Sequence, residues 1–189
     1  MDERMITIEG QAYVCRLAED VPAGWAFPVG NEVYPPERWY VATWHDPTGV
    51  RNDGYKHTGV DINLDVSPWG DIERTLGLSV YALAAGRVRF VTQNWYGVPM
   101  MVIEHAHEGF PLYVRYAHIV PVYQMGDRVT VGERLGTFAN WRTGDHLHLD
   151  MTRTAYTTEW FTPGMMDPLP VFEAHLAPAL VEAMCARGM

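Results

Sequence analysis

His146-Leu147-His148-Leu149-Asp150-Met151 sets two histidines and a carboxylate at alternate positions. In a β-strand alternate side chains share a face, and residues i and i+2 lie about 6.5 Å apart. Leu147, Leu149 and Met151 then face a core, and His146, His148 and Asp150 face the other way. One histidine of such a pair suits a metal ligand through a ring nitrogen at about 2.0–2.1 Å, with the other beside it in reach of a bound water. Taken alone, a solvent-facing strand that carries two histidines is the plainer expectation.

His57-Thr58-Gly59-Val60-Asp61 is a second cluster. Four residues of straight strand span about 13 Å, too far for two ligands of one ion. Thr58, Gly59 and Val60 are poor helix formers, so a helix does not close that gap. The chain must bend, and Gly59 is the residue that allows it. The third element is Tyr116-Ala117-His118. By alternation His118 shares an apolar face with Leu112, Val114 and Tyr116, where a histidine is more often a satisfied core residue than a catalyst. Of the remaining histidines, His105 and His107 fall in a polar hairpin link and are expected in solvent, and His45 and His175 on the surface.

The elements that must position these residues are short strands. Ile6 to Leu17 reads as a strand or hairpin, and residues 18 to 38, with four prolines and two glycines, as loop. Strands are expected over Trp39–Trp44, Val60–Leu64, Val80–Ala84, Arg87–Val91, Met100–Glu104, Leu112–Ile119, Arg128–Val131, Arg134–Ala139 and His146–Thr152. Strands this short and regularly spaced predict a mainly β protein built on antiparallel sheet. The lack of alternating helices of 10–15 residues argues against a parallel doubly wound sheet. Leu169 to Arg187 has a roughly helical apolar period, which Pro178 either breaks or restarts as a second short helix.

Composition removes several function classes. Fourteen Lys+Arg against 23 Asp+Glu leave a net charge of −9, which argues against a nucleic-acid binder. Lys56 is the only lysine. Cys15 and Cys185 are the only cysteines, so a zinc ribbon, a thioredoxin-type site and a disulfide framework are excluded, while one bridge between the two stays open. No apolar run is long enough for a membrane span. The acidic start Met1-Asp2-Glu3 carries no signal-peptide pattern as written.

HxxxD at His57–Asp61, the lone His118 and HxH at His146–His148, in this order, resemble the M23 family of zinc metallopeptidases, the lysostaphin and LytM-type cell-wall endopeptidases. Framework segments are similar too: Leu78 to Val88 resembles the family's strand pair, Met125 to Glu133 its turn, and Met166-Asp167-Pro168-Leu169 the stretch that often follows. The resemblance covers about residues 54 to 172. Residues 65 to 77 form a longer link after HxxxD than the family usually has, a segment that could reshape one cleft wall.

The resemblance implies a LytM/lysostaphin-like antiparallel sheet with a C-terminal helical segment. It divides the chain into an N-terminal extension (1–48), a catalytic domain (49–155) and a C-terminal loop and helix packed on that domain (156–189). It implies Zn2+ held by His57, Asp61 and His148, and His118 and His146 as the catalytic pair that handles the water and steadies the oxyanion. Two imidazoles and a carboxylate suit zinc, and three protein ligands leave a fourth position open. The chain contains no HExxH glutamate base. The implied partner is a peptidoglycan peptide, with no nucleic acid, and the implied location is extracellular or the cell envelope. Asp150 is a candidate to hydrogen-bond a ligand's far nitrogen, set against a solvated strand carboxylate. Tyr116 either lines the cleft or packs in the core, and Trp69, Trp95 and Trp141 either wall subsites or pack. Two other function classes compete. A non-catalytic LytM-like module regulating wall hydrolases would lack some of the HxxxD and HxH residues, and all are present. A biotinyl-type carrier would need a lysine in the turn at Gly126–Gly132, and Lys56 lies elsewhere.

Overall fold

In a computed structural model, two-residue turns and a run of β-branched and aromatic segments build the chain around antiparallel sheet. The structure describes residues 3–8, 11–16, 24–30, 36–50, 54–64, 75–140, 146–154, 159–162, 164–178, 181 and 185. Trp69, Trp141 and most of the long link 65 to 77 lie outside them.

The strands are β1 (Glu3–Ile8), β2 (Gln11–Arg16), β3 (Trp39–Thr43), β4 (Val60–Leu64), β5 (Ser79–Tyr81), β6 (Gly86–Trp95) and β7 (Val98–His107). They continue with β8 (Phe110–Ala117), β9 (Ile119–Pro121), β10 (Arg128–Val129), β11 (Arg134–Phe138), β12 (Leu147–Thr152) and β13 (Met165–Met166). A short helix α1 (Leu169–His175) follows. The large sheet has eight strands in the order β10-β6-β7-β8-β12-β4-β3, with β13 pairing β12. A second sheet is β5-β11-β9, and β1 and β2 form a hairpin. This is a mainly β, antiparallel fold with a short C-terminal helix.

One hydrophobic core joins the two larger sheets. It takes Val60, Ile62, Tyr116, Leu147, Leu149 and Met151 from the large sheet and Val80, Ile119, Leu135 and Phe138 from the small one. Phe27 and Trp39 join it from upstream, and Val171 and Phe172 from α1. A smaller apolar cluster of Trp95, Val98, Met100, Val102 and Ala117 lies apart from it. β12 is buried on both faces as a result.

One expectation is corrected here. The β6–β7 and β7–β8 connections are two-residue turns with positive φ at both positions, Tyr96 (50°)–Gly97 (93°) and Glu108 (56°)–Gly109 (78°). That is the geometry matching the twist of paired strands, so the strands run on to the turn. His105 and His107 are therefore in β7 and buried, not in a solvated link. His105 donates from Nδ1 to the Ala85 carbonyl (3.1 Å) and accepts from the Tyr116 hydroxyl (3.1 Å). Burial pushes its pKa down to about 4. The C-terminal helical stretch is broken as its proline suggests: Leu176 is extended (φ −102°, ψ 157°) just ahead of Pro178, and the described residues Pro178, Val181 and Cys185 are helical again. Cys185 is a free thiol. Among the described residues no helix is long and apolar enough to cross a membrane.

Candidate metal centre and active site

The register of the large sheet assembles the site. His148 of β12 stands opposite Asp61 of β4 and opposite Ala117 of β8. Residues directly opposite point to the same face, so Asp61 and His148 meet. His57 comes from the segment ahead of β4, where it exchanges backbone hydrogen bonds with Asp46 (2.8 and 2.9 Å). The bend at Thr58-Gly59 then brings His57 Nε2 to 3.1 Å from Asp61 Oδ1. Gly59 has no positive φ. Its role is close approach, since a Cβ there would lie 2.2 Å from the Leu149 carbonyl oxygen.

His57, Asp61 and His148 are a candidate metal group. Their facing atoms lie 3.1 Å (His57 Nε2–Asp61 Oδ1), 3.1 Å (His57 Nε2–His148 Nδ1) and 2.9 Å (His148 Nδ1–Asp61 Oδ1) apart. Three atoms at about 2.0–2.1 Å from one tetrahedral ion would be about 3.3 Å apart, close to this spacing. The outer partners fix which ring atoms face inward. His57 Nδ1 donates to the Trp44 carbonyl (2.9 Å), leaving a lone pair on Nε2. His148 donates from Nε2 to Asp150 Oδ2 (3.1 Å), which turns Nδ1 toward Asp61. His57 Nε2 and Asp61 Oδ1 are both acceptors, so a positive centre belongs between them. The donor set fits a divalent cation.

Electrostatics agree. Burial alone would raise Asp61, but the charge of His146 and the hydrogen bond from His148 hold it well below the ordinary carboxylate range. Burial alone would depress His148, yet its bonds to Asp150 and Asp61 push it up to about 9. Without metal, the proton on His148 balances the two carboxylates. This value lies above the ordinary 6.5 of an unfolded chain, so the stabilisation is complete below about pH 6.5 and is lost as the pH rises through about 9. Metal-free protein should lose thermal stability between about pH 7 and about pH 9. Over the same window zinc should bind about tenfold more tightly per pH unit, as the displaced proton leaves. Calorimetry in buffers of differing protonation heat measures that proton, and zinc uptake without it would remove His148 from the ligand set.

His118 and His146 stand beside the triad with ring centroids 4.4 Å apart. His146 Nε2 is 3.5 Å from Asp61 Oδ1, farther than the three inner atoms are from one another. His118 corrects the alternation reading. Its φ is 63°, a left-handed conformation that interrupts the strand between β8 and β9. The interruption turns its ring into the cleft, away from the core face that Tyr116 keeps. Its backbone is pinned there by His118 N–H to the Pro99 carbonyl (3.1 Å) and Ala139 N–H to the His118 carbonyl (2.8 Å). Burial, reinforced by the charges of His146 and His148, brings its pKa down to about 2, so the ring is neutral. The five residues open into a cleft of about 740 Å³, also lined by Tyr55, Lys56, Trp95, Tyr96 and Trp160.

A profile of known families, described as Peptidase family M23, matches residues 55–159. The chain belongs to peptidase family M23. Its fold is similar to the catalytic domain of the antimicrobial peptidase lysostaphin from Staphylococcus simulans (19% identity, 73% of this chain and 95% of that one, TM-score 0.54). It is also similar to LytU (20% identity, 76% and 90%, TM-score 0.55) and to a zinc-containing peptidase from Vibrio cholerae (22% identity, 78% and 45%, TM-score 0.50). The chain has no sequence match among curated proteins.

Two of the sequence expectations for this M23 chain resolve in opposite directions. Asp150 is not a solvated carboxylate: it is fully buried, and its Oδ2 accepts from His148 Nε2, Thr58 Oγ1 (2.9 Å), Arg115 Nε (3.0 Å) and Arg115 Nη2. Tyr116 belongs to the core, where its hydroxyl accepts from Leu83 N–H (3.1 Å) and bonds His105, and it does not steady a metal ligand. His175 is exposed as expected, and half-buried His45 donates from Nδ1 to the Thr58 carbonyl (2.9 Å), bracing the bend before Asp61.

Arg115 and Trp160 escaped the sequence reading. Arg115 is fully buried, bonds Asp150, and reaches the carbonyls of Glu159 (3.1 Å) and Trp160 (3.2 Å). Its guanidinium also lies 4.0 Å over the Trp95 ring. Trp160 stacks on Trp95 (4.9 Å, 13°) and borders His148 (5.4 Å). For Arg115 the available signal was its position: a lone charge in an apolar strand, at the parity of Asp150 rather than of the core residues.

Proposed function

We propose that this protein is a zinc-dependent endopeptidase that hydrolyses peptide bonds of peptidoglycan. The observation that carries the reading is the convergence of His57 Nε2, Asp61 Oδ1 and His148 Nδ1, with two further histidines beside them in one open cleft. His57, Asp61 and His148 would hold zinc, which would supply a Lewis acid able to make water nucleophilic near neutral pH and to polarise the peptide carbonyl. His146, at the rim of the group, takes the proton of the attacking water and passes it to the leaving amine. His118, kept neutral by burial, donates an N–H to the oxygen that gains charge. Asp150 and Arg115 fix the His148 ring, as carboxylate partners of ligating histidines do. The catalytic stretch is residues 49–155, and Trp160, from the C-terminal stretch, closes one wall of its cleft.

The net charge of −9 gives no long-range attraction to anionic wall polymers. Zinc-loaded protein should free peptide amines from purified peptidoglycan without creating reducing sugar ends, and the rate on whole walls should hold or rise as moderate salt screens repulsion. Mass spectrometry of the products decides. Reducing ends without freed amines would overturn the reading, and so would intact peptidoglycan after incubation with fully loaded protein.

A further inference from the structure

The cleft has a wall whose construction goes beyond holding a metal. Tyr55 (77%), Tyr96 (60%) and Phe161 (41%) are among the most exposed large apolar side chains described, and all three border the mouth of this one cleft or its single lysine. Tyr96 heads the β6–β7 turn at φ 50°, which sets its ring at the cleft mouth. Trp160 braces the Tyr96 side chain: its backbone N–H donates to the Tyr96 hydroxyl (3.2 Å) and its ring meets the Tyr96 ring edge-on (5.9 Å). The Trp160 indole N–H reaches the Lys56 carbonyl (3.4 Å), so the same tryptophan ties Lys56 to the wall.

Lys56 is the residue before His57. Its side chain is exposed, with Nζ 5.8 Å over the Phe161 ring, and among the described residues it makes no ion pair. The only permanently charged groups among the described lining residues are Lys56 and Asp61, and Asp61 faces the metal group. Lys56 is therefore the charge the described cleft offers a ligand. In a protein of net charge −9, one ammonium at the mouth beside aromatic faces selects locally for what the rest of the surface repels.

We propose that Lys56, with the aromatic wall of Trp160 and Tyr96, forms a specificity subsite for a substrate residue bearing a carboxylate close to the scissile peptide bond. The carboxylate pairs with Nζ, and the peptide planes or apolar stem of that residue lie against the rings. The subsite rests on the peptidase reading, and its test separates the two.

The probes are acetylated, amidated hexapeptides of alanine and glycine carrying Glu or its neutral isostere Gln at each position in turn. Binding by tryptophan fluorescence, and kcat and KM for cleavage, are measured on zinc-loaded wild type, Lys56→Met, Lys56→Arg and Lys56→Glu. Taking the Glu/Gln ratio within each variant cancels any general damage beside His57. At one position wild type should favour Glu about three- to fivefold, mostly through KM, with the preference shrinking in salt. Lys56→Arg should keep it, Lys56→Met abolish it and Lys56→Glu invert it. Because Lys56 is the only lysine, acetylating the protein's amines should abolish it without a mutation. A ratio near one at every position, or a preference that survives in Lys56→Glu, overturns the subsite. Cleavage without discrimination overturns it and leaves the peptidase reading standing. Selective binding without any cleavage supports the subsite and overturns the peptidase reading.

Discussion

His148→Ala protein should be isolated without zinc and without activity, whereas His118→Ala and His146→Ala should keep one zinc per chain and lose about 10²–10⁴-fold in kcat. The division follows from distance. His148 Nδ1 lies 2.9 Å from Asp61 Oδ1 and 3.1 Å from His57 Nε2, inside the group, while His146 Nε2 stands 3.5 Å from the same carboxylate oxygen. Removing His148 also strands the buried Asp150, which then loses one of its donors. Replacing His118 or His146 leaves all three inner atoms in place and removes a proton carrier or an N–H donor from the cleft. Metal analysis by plasma emission, run beside single-turnover kinetics on each variant, separates the classes. Equal zinc in wild type and His148→Ala would sink the ligand assignment. Zinc lost from His146→Ala would mean the roles within the HxH pair are exchanged, and near wild-type turnover would remove that residue from the mechanism.

How far such a site can be read from sequence depends on whether its geometry is local. The period-2 strand was legible: Leu147, Leu149 and Met151 do enter the core while His148 and Asp150 share the opposite face. The need for a bend between His57 and Asp61 was legible too, because a straight strand cannot bring them together. The reason for Gly59 was not, since it lies in the approach of a strand distant in sequence: its missing Cβ leaves room for the Leu149 carbonyl. His118 was picked out by the resemblance, but alternation put its ring on the wrong face. Alternation assumes extended dihedrals, and one residue at φ 63° sends the ring to the other face. The burial of His105 and His107 turned on a turn type, because Glu108-Gly109 takes up the whole connection and leaves both histidines in the strand. Trp160 carries no local signal at all. It reaches the cleft because Arg115, 45 residues earlier, holds its carbonyl.

Arg115 is where these non-local contacts meet, and its removal should have the largest effect on stability. Arg115→Ala should cost about 3–5 kcal/mol, the range for stripping one partner from a buried ion pair. The guanidinium has no exposure, and neither has Asp150, so water cannot replace what is lost. Burial alone would raise the Asp150 pKa, and the Arg115 charge is the largest influence holding it down. Without Arg115 the carboxyl keeps only Thr58 and His148 as described donors and shifts toward its neutral form, which weakens its hold on the His148 ring. The carbonyls of Glu159 and Trp160 also lose their donor, which frees the wall stacked on Trp95. Melting temperature should fall by roughly 10 °C or more in a chain of this size. Zinc affinity, measured by competition with a chelator, should weaken about 10–100-fold. Arg115→Lys should recover part of the stability, since it restores a charge beside Asp150 but lacks the planar fork that also serves two carbonyls. A large loss of melting temperature with zinc affinity unchanged would confine Arg115 to packing, and wild-type values for both would contradict the coupling between Arg115, Asp150 and His148.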